Sequence, residues 1–120
     1  MLKLASSAWP GLLDDDAPPP STPERRDCVR WLYFAVTKLH PAVLDAFLVK
    51  DDAAAFADAR RVFLGHVREL ETALAGRTHL LGERATPADA KMCEVLAWAQ
   101  SIGLLGSEGK LSAYVRRCLA

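Results

Sequence analysis

The eight residues Gly82-Glu83-Arg84-Ala85-Thr86-Pro87-Ala88-Asp89 limit what this chain can fold into more than any other stretch, because they launch its one segment apolar enough to sit at the centre of a core. Thr86 has the chemistry of an N-cap, since its hydroxyl can accept from a free amide of the first turn. Pro87 follows at the first helical position, where no amide hydrogen is needed. Asp89 falls three residues after the cap. Its carboxylate can reach back to the Thr86 amide while the Thr86 hydroxyl accepts from the Asp89 amide, a reciprocal capping box with Asp in place of the usual Glu. The negative charge also suits a helix N-terminus.

The segment that follows, Ala90 to Ile102, offers only Lys91, Glu94, Gln100 and Ser101 to water. A helix that is apolar around most of its circumference is a buried one, so other helices must surround it. Gly103 supplies its C-terminal stop.

The flanks provide those helices. Thr22 caps and Pro23 opens a first long helix, in which Val29, Leu32, Tyr33, Val36, Leu39, His40, Val43, Leu44 and Phe47 keep helical spacing and Trp31, Phe34 and Ala35 add a second apolar face. Arg26, Arg30 and Lys38 are left for solvent. Pro41 bends this helix or begins a fresh turn after His40. Asp51 or Asp52 caps a second long helix with the stripe Phe56, Phe63, Val67, Leu70 and Leu74, ended by Gly76. Its Arg60, Arg61, Arg68, Glu69 and Glu71 form a solvated face. A final amphipathic helix runs from Lys110 to Leu119, with Leu111, Tyr114, Val115, Cys118 and Leu119 in register. Residues 22–120 thus read as an all-α bundle around one buried central helix. Ahead of them, Met1 to Leu13 holds a short helical fragment ending at Pro10-Gly11, and the acidic, proline-rich run that follows favours an extended path; residues 1–21 read as a remnant helix and a Pro-rich linker.

Composition excludes several classes of function. A chain of 120 residues, 51% hydrophobic and 25% charged with no net charge, is globular and carries no basic footprint for nucleic acid. Met1 to Pro10 is too short an apolar run for a signal peptide or a membrane span. Cys28, Cys93 and Cys118 are odd in number, far apart and each inside a helical pattern, which argues for reduced thiols in a cytoplasmic setting, and their spacing to histidine does not suit a metal site. There is no Gly-rich phosphate loop, no nucleophile elbow and no close pair of carboxylates apart from the linker aspartates, so no catalytic residue is assigned.

Leu80-Leu81-Gly82 followed by Thr86-Pro87-Ala88-Asp89, set between a long amphipathic helix and a buried one, resembles the C-terminal helical domain of the glutathione S-transferase superfamily. Ala85 stands where that family usually has a bulky apolar residue before the cap. The run from Trp31 to Pro41 is similar to the first helix of bacterial members of the family, with Lys38 where an acidic residue is common. The resemblance implies that Tyr33, Val36 and His40 line the cleft that receives the electrophilic substrate, and that the first two long helices form much of a two-fold dimer interface. It implies glutathione as co-substrate only when a thioredoxin-like domain supplies the groups that hold it; the chain alone is expected to bind no cofactor and to be inactive. The competing expectation is a freestanding helical protein–protein interaction module without enzymatic activity. Either way the expected partner is a second copy of the chain or another protein domain.

Overall fold

The computed structural model describes residues 22–82, 84–106 and 109–119. The reading of residues 1–21 lies outside them. Every regular element among the described residues is helical: α1 (Pro23–Phe34), a π-helical turn (Ala35–Leu39), α2 (His40–Leu48), α3 (Ala53–Leu74), α4 (Pro87–Ser101) and α5 (Lys110–Leu119). Among the described residues the single β-type pairing is an isolated bridge between His79 and Gly82 in the loop before α4. This is the all-α architecture expected from the sequence.

The caps follow local chemistry. The Thr22 hydroxyl accepts from the Arg25 amide at 3.1 Å and Pro23 occupies the first turn of α1. The Asp52 carboxylate accepts from the Ala55 amide at 3.1 Å and starts α3. α4 ends in a Schellman turn: the Leu104 amide donates to the Ala99 carbonyl at 2.9 Å and the Gly103 amide to that of Gln100 at 3.1 Å. Gly103 takes φ 77°, a left-handed conformation that a side chain would disfavour. Leu104, just past the turn, is buried and closes the end of the core.

α4 sits at the centre. It packs against α1, α2 and α5 and buries Ala88, Met92, Cys93, Val95, Leu96 and Ala99, while α3 lies against α2 and delivers Phe63, Val67 and Leu70. Each large apolar side chain withdrawn from water contributes about 1.5–3 kcal/mol, so the apolar circumference of α4 is the main driving force for assembling the bundle.

The first long helix departs from its expected register. The residues it buries are Cys28, Trp31, Leu32, Phe34, Ala35, Leu39, Ala42, Val43 and Ala46, whereas Val29, Tyr33, Leu44 and Phe47 of the expected apolar face are exposed. Both faces reach the core, Leu32, Leu39 and Val43 from the first and Trp31, Phe34 and Ala35 from the second, and only the outer part of the first face is left at the surface. Pro41 begins the fresh helical segment α2 from its first turn. A proline ring crowds the carbonyl four residues earlier, here that of Thr37. Widening the preceding turn to π spacing relieves the crowding, and the His40 amide bonds to the Ala35 carbonyl, five residues back. The Thr37 hydroxyl donates to the Tyr33 carbonyl at 2.6 Å and ties the two turns together.

Candidate functional site

Two regions carry the residues that the sequence singles out. The first is the start of α4. Asp89 is 1% exposed, and its carboxylate accepts four hydrogen bonds: Oδ1 from the Leu80 amide at 2.9 Å and the Tyr114 hydroxyl at 2.6 Å, Oδ2 from the Thr86 amide at 2.9 Å and the Thr86 hydroxyl at 3.2 Å. The Asp89 amide donates to the Thr86 carbonyl at 2.9 Å. One buried side chain therefore joins the loop before α4, the helix start and α5. Thr86 and Asp89 lie three residues apart and were legible as partners; Leu80 and Tyr114 were not.

Tyr114 is wholly buried, and burial together with the neighbouring Asp89 charge pushes its hydroxyl well above its ordinary value, so it stays a proton donor across the physiological range. Beside it the Cys93 Sγ donates to the Tyr114 carbonyl at 3.9 Å. Burial also pushes the Cys93 and Cys118 thiols up, away from the thiolate form that nucleophilic chemistry needs. Among the described residues no buried side-chain nitrogen or oxygen lacks a partner. A node so completely satisfied is a structural one; it presents no reactive group to a substrate.

The second region lies along α1, the π turn and α2. His40 is half-buried, with its ring 5.3 Å from that of Trp98 on α4; Phe47 approaches the same indole at 5.9 Å. Val36 is half-buried. Tyr33 is 63% exposed and lines a depression of about 260 Å³ with Arg30, Phe34, Lys38 and Glu69 of α3. The structure thus brings His40 and Trp98 together and sets Tyr33 on the side that faces α3. Leu44, Phe47 and Leu48, which the sequence reading gave no role in a site, extend the exposed apolar surface to the end of α2. A widened π turn beside such a surface was a further unread signal, since π turns concentrate at functional sites.

These side chains can enclose an apolar or aromatic molecule, and none of them forms a nucleophile or an acid–base pair. Among the described residues no group of three or more His, Cys, Asp or Glu could hold a metal ion, and no helix is long and apolar enough to cross a membrane.

No family model matches the sequence, and no curated protein matches it. Eight chains of solved structure do. Among them is a bacterial glutathione S-transferase, BphK, determined as a ternary complex: the match has a TM-score of 0.74 at 21% identity and covers 97% of this chain and 57% of that one. At that identity the likeness defines the fold, which is that of the C-terminal helical domain of a glutathione S-transferase. The chain spans little more than half the length of the protein it matches.

Proposed function

We propose that this chain supplies the electrophile-side wall and a subunit contact of a cytoplasmic glutathione transferase whose glutathione-holding groups lie on a thioredoxin-like domain outside these 120 residues. The observation that carries the reading is the uncovered aromatic and apolar surface of the first long helix and α4, at His40, Phe47, Leu48 and Trp98, on a fold shared with a glutathione S-transferase. A wall of this kind contributes by shape and by excluding water from the reacting pair. Val36 and His40 would contact the electrophile, and Tyr33 would lie at the margin toward α3. Thiolate activation belongs to the other domain, because the thiols of this chain are buried or held protonated. Two copies would meet through the first two long helices, on the side where Tyr33 of α1 faces Glu69 of α3, with glutathione as the co-substrate of the assembled enzyme.

The test is a fusion of this chain to the glutathione-binding domain of a bacterial glutathione transferase. The fusion is expected to conjugate glutathione to an aromatic electrophile, and His40→Ala is expected to raise KM for the electrophile severalfold while leaving KM for glutathione unchanged. A folded fusion that binds glutathione yet conjugates no faster than the glutathione-binding domain alone overturns the proposal.

A further inference from the structure

We propose that Cys93 and Cys118 are a thiol pair that oxidises to an intramolecular disulfide fastening α5 to α4, a modification site independent of the transferase reading above. Cys93 lies on α4, fully buried, with its Sγ 3.9 Å from the carbonyl of Tyr114 on α5. Cys118 follows Tyr114 by one helical turn, so it stands above Tyr114 on the same face of α5, and in helical geometry its amide points at that same carbonyl. Cys93 and Cys118 therefore stand at the same turn of the α4–α5 contact, on either side of the Tyr114 carbonyl. A disulfide needs β-carbons about 3.5–4.5 Å apart. Rotation about each Cα–Cβ bond turns the two sulfurs toward one another, and the packing of α5 on α4 sets the separation of the β-carbons.

The pair is asymmetric in access. Cys93 is sealed from solvent, whereas Cys118 is only partly buried and offers the entrance. With hydrogen peroxide as oxidant, the Cys118 sulfur attacks one peroxide oxygen, the O–O bond breaks, and the departing hydroxide leaves as water with the thiol proton. The Cys118 sulfenic acid so formed is then attacked by the Cys93 sulfur. The S–S bond forms as the S–O bond breaks, and the second hydroxide leaves as water with the Cys93 proton. Each sulfur loses one electron and the two peroxide oxygens gain them. Because burial keeps both thiols protonated, the first attack is slow, and the pair responds to sustained oxidant rather than to brief exposure.

Trypsin reads the result directly, since cleavage after Lys91, Lys110 and Arg117 places Cys93 and Cys118 on different peptides, and cleavage after Arg26 and Arg30 isolates Cys28. The intact chain treated with peroxide and digested without reductant is expected to lose two hydrogens and to yield peptide 92–110 joined to peptide 118–120. Cys118→Ser removes that species and Cys28→Ser leaves it, with circular dichroism confirming that both variants fold. The oxidised chain is expected to melt higher than the reduced one, and dithiothreitol to restore the original midpoint. Bonds to Cys28, covalent dimers, or a 93–118 link no more abundant than in urea-unfolded chain overturn the pairing. An unchanged or lowered midpoint overturns the fastening of the two helices.

Discussion

At the start of α4 a carboxylate and the groups that donate to it are withdrawn from water together, whereas along α1 and α2 Val29, Tyr33, Leu44, Phe47 and Leu48 stand at the surface. The two regions lie on one bundle and share a packing partner in α4, yet they follow opposite rules. Burying a charge is costly unless every lone pair is matched, and Asp89 meets that condition with four donors. Exposing large apolar side chains is costly unless something covers them, and that surface remains open. The first region holds the fold together; the second is free to take a ligand or a partner.

The comparison breaks most sharply at Asp89. Asp89→Ala leaves the Leu80 amide, the Thr86 amide and the Tyr114 hydroxyl buried without their acceptor. We expect a loss of about 3–5 kcal/mol, because several desolvated donors are orphaned at once. Urea unfolding followed by circular dichroism measures it. An unchanged midpoint would show that the node does not hold the bundle together.

A smaller effect of the same kind is expected at Tyr114. Tyr114→Phe keeps the ring and removes one charge-assisted bond of 2.6 Å, at a cost of about 1.5–3 kcal/mol. The variant also sharpens a pH dependence. The folded-state value of the Tyr114 hydroxyl is raised, so above its ordinary value of 10.0 the unfolded chain loses this proton while the folded chain keeps it. Stability from this group is complete below that value and falls as pH rises, by about 1.4 kcal/mol per pH unit. The buried thiols act in the same direction from their ordinary value of 9.0. Urea midpoints taken from neutral pH to above pH 10 should decline in the wild type and decline less steeply in Tyr114→Phe. Parallel slopes would remove Tyr114 from the alkaline limb.

How far these regions were legible in the sequence follows from the range of their interactions. Thr86 and Asp89 are three residues apart, so one turn of helix places them and the sequence suffices. The Tyr114 bond to Asp89 spans 25 residues and depends on how α5 docks on α4, which no local pattern encodes. Tyr114 does fall on the apolar stripe of the last helix, so its burial was readable while its partner was not. On the first long helix the limit was different. Two apolar faces were readable and both reach the core, but spacing alone could not say that Val29, Tyr33, Leu44 and Phe47 would stay at the surface while Leu32, Leu39 and Val43 on the same face would not. Tyr33, Val36 and His40 were grouped by resemblance. The bundle sets His40 against Trp98 and Tyr33 beside Glu69, because α3 and α4 flank this helix on different sides.

The smallest expected effect on stability comes from the open surface, and it is the most informative about function. Tyr33 is 63% exposed, and its side chain enters none of the ring contacts that hold the core. Tyr33→Glu should therefore leave the urea midpoint within the equivalent of about 0.5 kcal/mol, the range of ordinary surface changes. Its effect on association should be much larger, because a carboxylate placed in an apolar contact must be desolvated without a partner. Light scattering over a range of concentrations is expected to show the wild-type chain associating and Tyr33→Glu shifted toward monomer. Association that survives the substitution would move the contact to the α2–α3 side, away from Tyr33. A wild-type chain that stays monomeric at every concentration would mean that the apolar edge is not a self-contact, and would leave a different protein domain as its partner.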